Sequence, residues 1–375
     1  MADKSHIEWT EATWNPITGC SRISPGCGGP GLHGGCYAEQ LAGTRLKHHP
    51  SREGLTKETP NGPRWTGEVR FNAEWIDQPL RWTRPRMIFV CAHGDLFHEK
   101  VPDEWIDQVF AVMALCPQHT FQVLTKRADR MREYCRNEDV IHRIDGQMDL
   151  LIDARIDPLA RHSGDLRATA PLIEDFWPMP NVWLGVSAED QQRANERIRP
   201  LLETPAAVRW VSAEPLLGPI DLGKVFVSGD RDGIYLNDAA ILGLDWLVLG
   251  GESGPRARPM HPDWARRLRD QCQIAGVPFF FKQWGEWLPW EPEQGPCWKA
   301  QNGETEDGHV LFPEDIDLDP KWDDGLTELD GAVDHFAFQR VGKKKAGALL
   351  DGVGHRAMPL TREEAIEQIV KEAAE

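Results

Sequence analysis

No apolar run in this 375-residue chain approaches the roughly 20 residues that a membrane-crossing helix needs; runs such as WLVLGG and PFFF are far too short. A polar stretch, ADKSHIEWTEA, follows Met1 where a secreted chain would carry an apolar leader. The expectation is a cytoplasmic protein with reduced thiols and no membrane partner. Tyrosine is scarce, three residues against sixteen tryptophans. That excess of indole reads first as core anchors. Positive charge is in deficit too, with 42 Lys and Arg against 59 Asp and Glu, a net charge of −17. The deficit is local. Residues 284–340 carry fifteen acids and three bases, whereas residues 1–100 carry eleven acids and twelve bases. The acidic stretch reads as a solvated face, and the global charge therefore does not exclude a nucleic-acid or nucleotide partner.

The chain also lacks a fourth cysteine where one would close a metal site. Cys20, Cys27 and Cys36 lie in TWNPITGCSRISPGCGGPGLHGGCYAE, a loop crowded with Gly and Pro. Thiolates at such spacing are the ligand set of an iron–sulfur cluster or a zinc ion. Structural zinc takes four protein ligands, so three cysteines leave one position open for substrate or cofactor. His33, three residues before Cys36, offers the alternative of a closed Cys3His zinc site in a non-redox binding protein. The other five cysteines are scattered, which argues against a disulfide framework. Of these, Cys116 and Cys272 fall on apolar helical stripes; Cys116, Cys135, Cys272 and Cys297 are expected not to be ligands.

Six short β-branched or aromatic runs recur at 87–95, 120–127, 181–190, 208–215, 245–254 and 278–285. They read as strands buried on both faces, as in a parallel sheet of six or seven strands. Helical patterns intervene. Pro102 opens one, with Val109, Val112 and Cys116 on its stripe; another runs from about Pro262 to Ala275 and stops at Gly276. A barrel and a doubly wound sheet both fit this alternation. Chemistry-bearing residues follow nearly every strand: Asp95, Lys126, Ser187, Glu189, Glu214, Glu252 and Lys282. In a partial parallel (β/α) barrel all of these would meet at one mouth, so the barrel is preferred. Residues 1–285 would form it, with an insertion at 137–180 that carries a helix at about 147–161. Residues 286–340 would be an acidic appendage or lid. Residues 341–375 would add the basic cluster Lys343–Lys345 and a helix capped by Thr361 and Glu364.

The signatures IEWTEATWNPITGC, GCYAE, GDLFHE, VLTKR, NVWLGVSAE, VSAEPLLGPI, GGESGPRARPM and FFFKQWG together resemble a phage- and prophage-associated three-cysteine family of unknown function. That family is similar to divergent radical S-adenosylmethionine (SAM) enzymes, and Cys36-Tyr37 resembles the motif of the spore photoproduct lyase type. The resemblance implies a partial TIM-like barrel whose first strand leads into the cysteine loop. It implies a [4Fe–4S] cluster on Cys20, Cys27 and Cys36, with SAM on the open iron. An electron donor would drive reductive cleavage of SAM to a 5′-deoxyadenosyl radical, acting on a nucleotide, a nucleic-acid base or a phage-linked metabolite. The usual spacing is C-x3-C-x2-C, and this family tends to C-x6-C-x2-C; here it is C-x6-C-x8-C.

By position, the resemblance places Gly94 and Asp95 at the SAM amino group and Ser187 and Glu189 at the ribose. Glu214 and Glu252 become candidates for SAM or substrate binding or for acid–base work. Lys126 and Lys282 become partners for a carboxylate or phosphate. Catalytic candidates are thus Glu214, Glu252 and Lys282; cofactor-binding candidates are Gly94, Asp95, Lys126, Ser187 and Glu189. Lys126, Arg127, Arg130, Arg256 and Arg258 would suit phosphates, and Trp65, Trp82 or Trp284 could stack a base.

Overall fold

The computed structural model describes residues 4–28, 35–153, 177–225, 241, 243–290, 310–311 and 337–360. Seven parallel strands form one curled sheet: β1 (Ala12–Trp14), β2 (Met87–Val90), β3 (Thr120–Thr125), β4 (Val182–Ser187), β5 (Val208–Ala213), β6 (Trp246–Gly250) and β7 (Phe279–Gln283). Each strand pairs with the next in sequence, from β1 at one edge to β7 at the other. A doubly wound sheet would reverse its order at a switch point; this one never does, and it is a half-barrel. All six expected strands are present. The seventh, β1, is the short buried run ATW, too brief to stand out by periodicity.

Helix α1 (Tyr37–Gly43) follows the third cysteine and packs with Leu55 and Trp65, apart from the main core. The convex face is covered by α2 (Asp103–Ala114), α3 (Ala128–Cys135), α4 (Val140–Asp153), α5 (Gln191–Leu202) and α6 (Pro262–Ala275). Helix α2 starts with acids at Asp103 and Glu104 after Pro102, and buries Ile106, Val109, Phe110 and Met113. Helix α6 has Pro262 in its first turn and ends at Gly276, whose φ of 69° is the left-handed stop that glycine adopts cheaply. Cys116, Cys135 and Cys272 are buried in the main core behind the sheet. The helix expected at about 147–161 begins earlier, at Val140, and its described part ends at Asp153.

The concave face is floored with indole. Trp183, Trp210 and Trp246 project from neighbouring strands, and Trp9 from the N-terminal segment closes over them. Trp9 meets Trp210 edge-on at a centroid distance of 5.3 Å, and Trp210 lies 5.3 Å from Trp246. Gly185 makes room: a Cβ there would sit 2.4 Å from the Trp210 ring. Each buried aromatic contributes on the order of 4–6 kcal/mol of transfer free energy before entropy is subtracted.

Beyond the barrel, β8 (Trp287–Trp290), β9 (Val310–Leu311) and β10 (Ala337–Arg340) form a small antiparallel sheet in the order β8-β10-β9. Much of the acidic stretch lies outside the described residues, as do Cys297 and the helix expected after Thr361. The chain after β10 returns to the barrel edge. Phe281 N–H donates to His355 O at 3.0 Å, and Trp246 Nε1 to Ala357 O at 2.9 Å. Among the described residues no helix is long and apolar enough to cross a membrane.

Candidate functional site

The C-terminal ends of the strands converge on the cysteine loop, which leaves β1 and lies across the mouth. Gly19 and Gly94 form a parallel bridge that brings the start of this loop against the loop after β2. A Cβ on Gly94 would fall 2.9 Å from Ile17 O, so only glycine permits this approach.

Three side chains then hold the loop, one near each cysteine. Beside the first cysteine, Arg127 Nη1 lies 3.5 Å from Cys20 Sγ, while its Nη2 donates to Ser21 O at 3.2 Å and Ser21 Oγ at 2.7 Å. Beside the second, Gly26 N–H donates to Glu189 Oε1 at 3.0 Å. Beside the third, Gly35 N–H donates to Glu252 Oε1 at 3.2 Å. Arg258 links the last two grips, donating to both Glu252 oxygens at 2.8 and 2.9 Å and to Pro25 O at 3.0 Å. The loops after β3, β4 and β6 therefore each supply one finger of a clasp.

The holding groups are themselves braced. Asp95 accepts from Phe97 N, Thr125 Oγ1, Lys126 N and Arg127 Nη1 at 3.0, 2.7, 3.2 and 3.1 Å. Those four bonds fill a carboxylate's lone-pair sites. Glu189 is wholly buried and pairs with Arg197 Nη1 at 2.9 Å and Lys126 Nζ at 3.7 Å. Burial alone would raise its pKa, but Lys126 and Arg197, with bonds from Ser24 and Gly26, bring it down to about 2. Burial likewise opposes the charge on Arg127, yet Asp95, the Cys20 thiol and Glu99 hold the guanidinium firmly protonated.

The three thiols are close enough to feel one another. Burial and then Asp95 push the Cys20 thiol well above the usual range; Arg127 pulls it back, while Cys36 and Cys27 add to the rise. Burial also raises Cys36, with Cys27 contributing. All three are free thiols. Among the described residues, no set of three His, Cys, Asp or Glu is drawn around a point where a metal ion could sit. His33 lies outside the described residues.

The remaining expected site residues are placed as follows. Ser187 ends β4, and its carbonyl accepts from Arg197 Nη1 at 2.9 Å. Glu214 and Lys282 form a pair of their own, with Lys282 Nζ 2.7 Å from Glu214 Oε2. Glu214 Oε1 is buried without a hydrogen-bond partner. Asp95, Glu189 and Glu252, read from sequence as groups facing SAM or substrate, have their oxygens engaged in bracing the loop. The expected phosphate-facing cations are mostly neutralised: Lys126 pairs with Glu189, Arg127 with Asp95 and Glu99, Arg130 with Asp103, and Arg258 with Glu252. Trp65, Trp82 and Trp284 are buried rather than offered to a base. Glu39, buried in α1, escaped the sequence reading although it ends the GCYAE motif. It binds Arg22 and accepts from Trp65 N–H at 2.8 Å.

No curated protein and no solved structure matches the chain. Residues 4–359 match the family model described as "Protein of unknown function (DUF5131)". With nearly its whole length covered, from before β1 to beyond the returning segment, the chain belongs to that family.

Proposed function

We propose that this protein is a radical SAM iron–sulfur enzyme. The observation that carries the reading is the clasp: three free thiols of one loop, following the first strand of a half-barrel, each with a strand-end side chain fastened beside it. A [4Fe–4S] cluster held by Cys20, Cys27 and Cys36, with SAM on its open iron, would supply a reductively generated 5′-deoxyadenosyl radical. The donor set fits such a group. Burial raises the Cys20 and Cys36 thiols, and metal binding would displace their protons. Arg127 brings a fixed positive charge to Cys20, which suits a thiolate better than a thiol.

In this reading Asp95, Glu189 and Glu252 are positioning residues. They hold the loop backbone so that the thiol directions are set before binding. Glu214 and Lys282 are the strand-end pair left for SAM or substrate, since Glu214 Oε1 is an acceptor without a donor. The indole floor closes the far end of the lumen and would keep water from a reactive intermediate.

The test is reductive SAM cleavage by protein purified without oxygen. Formation of 5′-deoxyadenosine and methionine is expected from the parent, and neither from Cys20→Ala, Cys27→Ala or Cys36→Ala. A parent that retains iron but never cleaves SAM under strong reductant would refute the assignment.

A further inference from the structure

One group beside the first cysteine is not used by the clasp, the hydroxyl of Ser21. A single guanidinium holds Cys20 and Ser21 side by side: Arg127 Nη1 lies 3.5 Å from Cys20 Sγ, and Arg127 Nη2 donates to Ser21 Oγ at 2.7 Å. The second partner of Ser21 Oγ is His98 Nε2, at 3.0 Å. The other ring nitrogen fixes the direction of that bond. His98 Nδ1 accepts from Lys100 N–H at 3.1 Å, so in the neutral ring the proton sits on Nε2 and points to Ser21. Burial and then Arg127 lower the pKa of His98 against Glu99 and Asp95, which keeps the ring neutral. A Ser–His nucleophile is thereby excluded, because Nε2 has no lone pair with which to take the Ser21 proton.

Ser21 Oγ thus receives two N–H donors, and both of its acceptor positions are filled. It retains one O–H to give, and among the described residues no acceptor takes it. Accepting two bonds polarises that O–H and strengthens it as a donor. Ser24, the loop's other serine, is the contrast. Its Oγ lies 3.9 Å from Cys27 Sγ, but its side chain bonds to Glu189 and helps to hold that carboxyl down at about 2. Cys20 itself changes role when metal binds. As a thiol it donates from Sγ to Ser21 O at 3.4 Å; as a metal-bound thiolate it has no proton and only accepts.

We propose that the Ser21 hydroxyl donates a hydrogen bond to the Cys20 sulfur of the loaded site and so sets the potential at which the cluster is reduced. One electron from an external reductant adds negative charge to the sulfurs; a hydrogen bond offsets part of that charge and raises the potential. No covalent bond breaks, and the proton stays on Ser21. The inference rests on the cluster of the proposed function and not on SAM.

The test is a redox titration of the full chain, purified without oxygen and free of SAM, with the reduced cluster followed by electron paramagnetic resonance. At a fixed solution potential, Ser21→Ala should lower the ratio of reduced to oxidised cluster about tenfold, a midpoint about 59 mV lower for a one-electron couple. Ser24→Ala should move it much less. Iron and sulfide analysis and near-UV circular dichroism verify that each variant is loaded and folded. Ser21→Thr and Ser21→Val share one shape and differ in the hydroxyl, so they decide the matter if Ser21→Ala holds no cluster. Ser21→Thr should titrate with the parent, and Ser21→Val about tenfold below it. A loaded Ser21→Ala with the parent's midpoint would overturn the proposal and leave the SAM reading standing. So would an equal fall in Ser24→Ala, which would make the effect one of loop packing. A shifted midpoint in a chain that never cleaves SAM would uphold the proposal and defeat the SAM reading; a parent holding zinc in place of iron would defeat both.

Discussion

The two ends of the half-barrel are built from opposite materials. The floor is closed by Trp9, Trp183, Trp210 and Trp246, apolar rings that stabilise whatever the mouth does. The mouth instead buries carboxylates and guanidinium groups, which cost desolvation energy and are retained there only in pairs. Glu189 and Arg197 are nearly inaccessible to solvent, and so are Asp95 and Arg127. A protein that needed only a fold would seal both ends with rings. That it places charged pairs under one loop, and that the loop carries three thiols, separates what serves stability from what serves the site.

Cutting the thiols should break this contrast most completely. Each of Cys20→Ala, Cys27→Ala and Cys36→Ala should abolish iron retention, measured by metal analysis, because one of only three anchors is gone. His33→Ala should retain iron; loss of the metal and of the fold would favour the zinc site instead. At the other end, Trp210→Ala should cost about 3–5 kcal/mol in denaturant unfolding while iron per folded chain stays the same. If it emptied the site as well, the two ends would not be separable.

A smaller effect is expected from Glu252→Gln. It keeps the shape but removes the charge that Arg258 and the Gly35 amide both use, at about 1–3 kcal/mol. Faster iron loss to a chelator should exceed what the stability change alone produces. Acid should act through Glu189. Its pKa is 4.5 ordinarily and about 2 in the fold, so its stabilisation is complete above 4.5 and fades as pH falls towards 2. Glu189→Gln should flatten that part of the pH–stability curve. Smallest of all, Cys116→Ala, Cys135→Ala, Cys272→Ala and Cys297→Ala should each leave iron content unchanged.

The sheet was legible in the sequence because buried parallel strands are uninterrupted apolar runs, and the helix start at Pro102 and stop at Gly276 are local chemistry. The strand-end residues were legible as a set, since a polar residue after each strand needs no knowledge of its contacts. Their use was not. Asp95, Glu189 and Glu252 bond to groups between 30 and 217 residues away, to Thr125 Oγ1, Gly26 N–H and Gly35 N–H. Nothing in the local pattern tells a carboxylate that faces a ligand from one that grips a distant loop. The arginines show the same limit. Arg258 and Arg256 stand two residues apart, yet one pairs with Glu252 and the other donates to the backbone carbonyl of Asn61.

Iron, sulfide and zinc analysis of the chain purified without oxygen tests the central claim most directly. The account predicts iron and sulfide in equal amounts, close to four of each per chain, with negligible zinc. One zinc per chain with no sulfide would contradict it.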